Sequence, residues 1–192
     1  ESVNIQPGAM QWYVGDVHQS TGLKGIGDTI KKFFNAQVTG ESTIKPQYEG
    51  TGVIVTEPSY KHYIIEDLDD WNGAMCVEDG LYCASETKVN LSTSMIKSVS
   101  GQTIGDEGLF NLCLKGSGKV VLECNVPQEE LITIDLHNDT LKIDGSFAIA
   151  WSENLDFTVE RSGKTLIGSA VSGEGLVNVY RGTGRVLIKP QI

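Results

Sequence analysis

The most informative stretch of the sequence is Gly116-Ser117-Gly118, a glycine-rich turn that leads into the apolar run Val120-Val121-Leu122. The same pattern occurs at Gly50-Thr51-Gly52 and at Gly182-Thr183-Gly184, so the first glycines of the three copies are 66 residues apart. Strand, glycine turn and strand in succession are typical of a β-hairpin, because glycine enters conformations of positive φ without steric cost. The sequence therefore predicts three structural turns, at Gly50 and Gly52, Gly116 and Gly118, and Gly182 and Gly184.

The regular spacing of these turns indicates an internal repeat that extends over most of the chain. We place the three units at roughly 1–58, 59–124 and 125–192. Each unit holds too few strands to close a core alone, so the units are expected to share one core in a single domain, 1–192. The prediction is an all-β protein built from three repeats of about 66 residues.

A glutamate precedes each glycine turn, at Glu41, Glu107 and Glu174. In a pseudo-three-fold arrangement the three carboxylates would occupy equivalent positions. They could face one another near the axis, where a cation would have to offset their repulsion. Alternatively, each accepts backbone N–H bonds at its own turn. We favour the second interpretation, because buried or half-buried carboxylates are normally satisfied by local donors.

One short helix is predicted near residues 28–35. Asp28 is a suitable N-cap, and Ile30, Phe33 and Phe34 follow at helical spacing. Two lysines lie on the other side, so a membrane-surface helix is one interpretation. The preferred interpretation is a helix that covers the end of the β core, because about two turns offer little area for membrane binding.

Composition and charge narrow the possible functions. The chain has 192 residues and a net charge of −10, which disfavours binding to nucleic acid phosphates. No run of about 18 apolar residues occurs, so no transmembrane helix is expected. The stretch from residue 65 to residue 80 carries six carboxylates and no Lys or Arg, and we interpret it as a solvated loop rather than a cation site.

The cysteines form no C-x-x-C pair, which disfavours a zinc site or a thioredoxin-type motif. So few cysteines in a chain of this length do not suggest a disulfide scaffold. Two of them flank an acidic turn, which disfavours a nucleophilic thiolate. We predict reduced, mostly buried thiols in a cytoplasmic protein. The residues concerned are Cys76, Cys83, Cys113 and Cys124.

The sequence contains no recognisable catalytic constellation. His18, His62 and His137 neither follow the 66-residue period nor form a metal-binding motif. The segment Gly163-Lys164-Thr165 is similar to the end of a P-loop, but Thr158 stands where the first glycine is required. No G-x-S-x-G elbow is present. We therefore predict a protein that is not an enzyme and needs no cofactor or metal.

Several motifs follow one another in a recognisable order: Pro7-Gly8-Ala9-Met10, Gly108-Leu109-Phe110, Phe157-Thr158-Val159-Glu160-Arg161 and Gly173-Glu174-Gly175-Leu176. The last of these leads into the third glycine turn and its apolar run. Together these motifs resemble the altered-inheritance-of-mitochondria family, specifically protein twenty-four of that series and its uncharacterised bacterial relatives. The resemblance extends over nearly the whole chain, and its specificity comes from the order and number of short motifs.

The resemblance implies a fold similar to that of the tryptophan RNA-binding attenuator protein, described as a short double-stranded β-helix or a barrel-like sandwich. It also implies self-association, since related bacterial proteins tend to form trimers or larger rings. The family supplies no agreed catalytic residues to transfer to this chain. A bacterial, cytoplasmic setting is expected because no mitochondrial targeting segment is present.

These observations lead to one main hypothesis and two alternatives. The main hypothesis is a non-enzymatic β scaffold that self-associates, with a trimer favoured, or docks an unidentified protein partner. The first alternative is a small-ligand binder that uses a cavity at a barrel end. The second is an RNA-binding protein, for which a basic stripe is needed. The candidate cations for that stripe are Lys115, Lys119, Arg181 and Arg185.

Overall fold

The glycine-punctuated apolar runs form strands throughout the computed structural model, which describes residues 1–20, 45–95, 97–98, 110–161 and 176–190. In these residues there are fourteen strands and two single turns of 3₁₀ helix, Leu68–Trp71 and Gln128–Glu130, but no α-helix. The prediction of an all-β protein is confirmed. The helix predicted near 28–35 lies outside the described residues, as do the repeat glutamates Glu41, Glu107 and Glu174.

The strands are numbered in chain order. Their bounds are β1 Ser2–Ile5, β2 Met10–Ser20, β3 Gln47–Thr56, β4 His62–Asp67, β5 Ala74–Val77, β6 Tyr82–Glu86, β7 Asn90–Met95, β8 Lys97–Ser98, β9 Phe110–Lys115, β10 Lys119–Cys124, β11 Ile132–Asp144, β12 Ala148–Ser152, β13 Asp156–Arg161 and β14 Leu176–Ile188.

These strands form two sheets. The first sheet has the order β2-β3-β1-β6-β10-β4 and is antiparallel throughout. The second has the order β7-β9-β5-β12-β14-β13-β8, and β11 pairs with the opposite edge of β14. Every pair in the second sheet is antiparallel except β13 with β8. In the described residues neither sheet closes on itself, so the architecture is two open antiparallel sheets rather than a closed barrel.

The main core lies between the two sheets. Strand β10 shows how the sequence forms it: Val120 and Leu122 are fully buried, whereas Val121 is only half-buried. This alternation is the one expected for a strand with one face on a core. Opposite them, Met75 and Leu114 of the second sheet belong to the same buried cluster.

A second, smaller core is built around aromatic residues on the other face of the second sheet. Trp151 lies with its ring centre 5.1 Å from that of Phe157 and 5.4 Å from that of Tyr180. Phe157 and Tyr180 stack with 4.9 Å between ring centres. Strand β5 separates the two cores, since Met75 faces the main core and Cys76 faces the aromatic one. The second sheet is therefore packed on both faces in this region.

The prediction of three hairpin turns is wrong. Gly50 and Gly52 lie inside β3, and Gly182 and Gly184 lie inside β14. Gly116–Gly118 does connect two strands, but it takes the chain from β9 in the second sheet to β10 in the first. The positive φ values are present, 138° at Gly50, 118° at Gly116 and 121° at Gly182. They bend the strand or lead it into another sheet instead of reversing it.

The interpretation of residues 65–80 as a solvated loop is also wrong. The stretch contains the end of β4, the 3₁₀ turn Leu68–Trp71 and β5. Two of its six carboxylates have local donors: the Trp71 indole donates to Glu66 at 3.0 Å, and Asp67 caps the turn by accepting from the Asp69 amide at 3.1 Å. The side chains of Leu68 and Trp71 are buried, so the segment is part of the fold and not a solvated loop.

The prediction of four reduced thiols is wrong for two of the cysteines. Cys76 and Cys113 form a disulfide between β5 and β9. Cys83 and Cys124 are free and buried, as predicted. The bonded pair is separated by 37 residues in the sequence, and only the register of the two strands makes the two residues direct neighbours. Since the cytoplasmic prediction depends in part on reduced thiols, the disulfide removes one of its supports.

Candidate functional site

The most distinctive exposed feature is a two-stranded extension of the first sheet. Strand β2 pairs with β3 from Met10 to Ser20, whereas β3 pairs with β1 only from Gln47 to Glu49. In the described residues the segments 10–16 and 51–56 therefore have no third strand beside them. We call this pair of segments the apolar ribbon. An isolated two-stranded ribbon is only marginally stable in water, so this geometry favours a ribbon that is covered in use.

Both faces of the apolar ribbon carry large apolar side chains. Val14 lies opposite Val53, with 60% and 54% of their surfaces exposed, and Trp12 on the same face is 49% exposed. Tyr13 and Ile54 lie opposite each other on the second face. A contiguous exposed apolar patch of this kind is typical of a surface that another molecule covers.

The apolar ribbon is also nearly free of charge. Asp16 is the only ionisable acid or base apart from Tyr13 in segments 10–16 and 51–56, although the chain carries a net charge of −10. Edge strands are commonly protected against pairing with other chains by Lys or Pro residues, and neither occurs in these two segments. The ribbon therefore combines exposed apolar surface with an unprotected strand edge.

A cleft of about 540 Å³ lies beside the ribbon. Val17, Tyr48 and Ile54 give it apolar walls, and Glu86 and Lys88 contribute charge at its rim. The small-ligand hypothesis places a cavity at the end of a barrel, but neither sheet is closed in the described residues. The cleft instead lies where the ribbon leaves the sheet, so it belongs to the same exposed region.

Each of the four cations proposed for an RNA-binding stripe is paired with a carboxylate, which offsets its positive charge toward a phosphate. The pairs, with their N–O distances, are Lys115–Glu153 at 2.6 Å, Lys119–Asp67 at 3.0 Å, Arg181–Glu160 at 2.5 Å and Arg185–Asp135 at 2.9 Å.

The two cysteines that flank the acidic turn, Cys76 and Cys83, were predicted to be poor nucleophiles. Cys76 is bonded to Cys113. Burial, together with the nearby Glu123 carboxyl, raises the pKa of Cys83 to about 11, so its thiol is protonated at neutral pH.

Within the described residues, no group of three or more His, Cys, Asp or Glu side chains is placed to hold a metal ion. In the same residues, no helix is long and apolar enough to cross a membrane.

The Glu160–Arg181 pair makes a pH-dependent contribution to stability that can be tested. The hydrogen bond from Arg181 lowers the pKa of Glu160 below its ordinary value of 4.5. The ionised carboxylate is thus favoured in the folded state, so its contribution is complete above pH 4.5 and is lost as the pH falls through the lowered pKa. We expect Glu160→Gln to reduce the free energy of unfolding at pH 7 and to have little effect at strongly acid pH.

Urea unfolding of wild type and variant between pH 7 and pH 3 measures this difference. Glu129→Gln is the matched control, because it makes the same change of charge at an exposed position. A difference between wild type and Glu160→Gln that stays constant over the whole pH range would contradict the prediction.

The fold and surface define a class of protein: an all-β protein of two open antiparallel sheets with an exposed apolar ribbon. The chain belongs to the family described as mitochondrial biogenesis AIM24, whose profile it matches over residues 1–191. The family resemblance noted in the sequence is thereby confirmed. The further likeness to the attenuator protein stays a prediction.

Two similar proteins come from streptococci. The chain is 28% identical over 196 residues to an uncharacterized protein of Streptococcus pyogenes serotype M6, covering 98% of this chain and 76% of that protein. A crystal structure of a Streptococcus pyogenes protein superposes with a TM-score of 0.68 and 25% identity, covering 99% of this chain and 83% of the other. The two-sheet fold is therefore shared with a solved structure.

The sequence reasoning missed the apolar ribbon and the disulfide. A signal for the ribbon is present in residues 10–17, because apolar residues occupy both alternating sets of positions there. Such a run is typical of a strand buried on both faces. In the structure both faces of this segment are exposed, and the mismatch between the apolar pattern and the exposure is the signal that marks the ribbon.

Proposed function

We propose that this protein is a non-enzymatic β scaffold that acts by self-association, or by docking another protein, through the apolar ribbon. The observation that carries the proposal is the exposure of Trp12, Val14 and Val53 on a two-stranded extension that lacks a third strand in the described residues. Burial of such side chains contributes about 25 cal/mol for each Å² of apolar surface removed from water.

Charge favours a second copy of the chain as the occupant. Two copies that each carry a net charge of −10 repel one another wherever their acidic surfaces meet. They approach with the least repulsion along a surface that is almost uncharged, and the apolar ribbon is such a surface. Closed symmetric assemblies are the usual outcome of self-complementary patches. A trimer is the favoured state, following the family resemblance.

The absence of an enzymatic role is part of the same proposal. In its support, Cys76 is bonded to Cys113 and the thiol of Cys83 is protonated, so neither of these two cysteines supplies a nucleophile. No cofactor or metal is required for a scaffold of this kind. A cytoplasmic localisation stays a prediction.

The proposal also includes an internal repeat of about 66 residues, supported by a change of strand neighbours at each glycine pair. Strand β14 pairs with β13 before Gly182 and with β12 after Gly184. Strand β3 pairs with β1 only before Gly50. The connection at Gly116–Gly118 leads from one sheet to the other. In this proposal, the glycines mark equivalent bends in three units that share one core.

The oligomeric state tests the role of the apolar ribbon. We expect wild-type protein to sediment as a discrete oligomer, and Val14→Asp to dissociate at concentrations at least about tenfold higher, equivalent to about 1.4 kcal/mol. An added carboxylate must be desolvated in the interface, whereas Val14 is already exposed in the single chain. Sedimentation velocity over a concentration series measures the shift.

The matched control is Thr133→Asp, which places the same charge on an exposed position of the edge strand β11. It should leave the oligomer unchanged if the ribbon is the interface. A wild-type protein that stays monomeric at tens of micromolar would refute self-association, and equal effects of the two variants would refute the ribbon as its site.

A further inference from the structure

The disulfide and the cavity beside it are not used by the scaffold proposal. Cys76 and Cys113 are directly opposed on the neighbouring strands β5 and β9, and both are buried. Four registered residue pairs join these strands, from Ala74–Lys115 to Val77–Leu112, so the backbone ladder holds them together independently of the sulfur–sulfur bond. The bond can therefore open without loss of the sheet.

A cavity of about 140 Å³ reaches this bond from one side. Cys76 forms part of its wall, together with Ser94, Asn111 and Trp151. A cavity of this size admits a small thiol more readily than a thiol carried on a protein or on a large polymer. Of the two bonded sulfurs, it is that of Cys76 which an entering thiol meets.

We propose that this cavity is a thiol–disulfide exchange site, at which small dithiols reduce the Cys76–Cys113 bond in the folded protein. One thiolate of the dithiol attacks Sγ of Cys76, the disulfide bond breaks, and Cys113 leaves as a thiolate that takes a proton from solvent. The second thiol of the reductant then displaces Cys76 and closes the reductant's own disulfide. Two electrons and two protons pass from the dithiol to the protein.

Reduction changes the connection between the two sheets. Cys113 lies on β9, which continues through Gly116–Gly118 into β10 of the first sheet. The bond ties this connecting strand to β5, and its loss leaves β9 held by backbone hydrogen bonds and packing. Reduction at this site should therefore increase the mobility of the Gly116–Gly118 connection between the sheets, while both sheets remain formed.

The structure supplies a spectroscopic readout of the reaction. Trp151 lies directly opposite Cys76 across strands β12 and β5, and both belong to the aromatic core. A disulfide quenches indole emission by accepting an electron from the excited ring, so reduction should increase the fluorescence of Trp151. The increase should be absent in Trp151→Phe, which keeps an aromatic ring in the cluster.

The test uses protein purified without reductant. Thiol titration in denaturant should find two free thiols before reduction, those of Cys83 and Cys124, and all four cysteines after it. In native buffer, dithiothreitol followed by iodoacetamide should label Cys76 and Cys113 while far-ultraviolet circular dichroism stays unchanged. Four free thiols before reduction, or labelling that occurs only at the rate of global unfolding, would overturn the proposal.

The route through the cavity is tested by filling it. Ser94→Tyr should slow native-state reduction by about tenfold, equivalent to about 1.4 kcal/mol in the barrier. Ser117→Tyr makes the same substitution at an exposed position away from the cavity and should leave the rate unchanged. As a second measurement on the wild type, 2-mercaptoethanol should react much faster than a thiol attached to polyethylene glycol. Equal rates for the two reagents would refute the cavity route.

Discussion

Gly50→Ala is expected to destabilise the protein by about 3 kcal/mol or more, whereas Gly8→Ala should cost about 1 kcal/mol. Both glycines have positive φ, 138° at Gly50 and 81° at Gly8, so both substitutions strain the backbone. Only at Gly50 would the added Cβ collide with the backbone carbonyl of Asp16 on the paired strand. At Gly8 the new methyl group enters open space among the described residues.

The additional cost at Gly50 arises because the collision is between two backbones. A side chain could rotate away, but the carbonyl of Asp16 belongs to β2, which is paired with β3 along its whole length. The two strands would have to separate at the point where the apolar ribbon leaves the sheet. Urea unfolding of the two variants measures the difference in free energy. Similar values for both would show that the ribbon adjusts freely and that its bend is not fixed by Gly50.

Local features of the sequence predict local features of this fold well. The apolar run after Gly118 correctly predicted a strand, and the burial along β10 alternates with the period of two residues of a strand that has one face on a core. The glycine pairs correctly indicated positive φ. They did not predict the path of the chain after the glycine. At Gly182 the same strand continues, whereas at Gly116 the chain passes into the other sheet.

Long-range pairing explains what the sequence could not predict. The bond between Cys76 and Cys113 depends on the register of β5 and β9, which no local pattern encodes. The exposure of Val14 likewise depends on the absence of a third strand beside the ribbon in the described residues, not on its own neighbours in sequence. In both cases the residue types are ordinary, and only the tertiary arrangement makes them candidates for function.

Trp151→Ala is expected to destabilise the protein by about 3–5 kcal/mol, the usual cost of removing a buried tryptophan. Trp151 packs against both Phe157 and Tyr180, so its loss removes two of the three ring contacts of the aromatic core and leaves a large cavity. Trp12→Ala should change the free energy of unfolding of the single chain by less than about 1 kcal/mol, because Trp12 is half-exposed on the ribbon.

The two tryptophans should therefore separate folding from assembly. Trp151→Ala should lower the urea midpoint while the fraction that remains folded still associates, since the apolar ribbon is untouched. Trp12→Ala should keep the midpoint of the isolated chain, measured at high dilution, and weaken the oligomer in sedimentation at higher concentration. If Trp12→Ala lowers the free energy of unfolding of the dilute chain as much as Trp151→Ala does, the ribbon is part of the folding core. Its exposed side chains are then not an interface for a second copy.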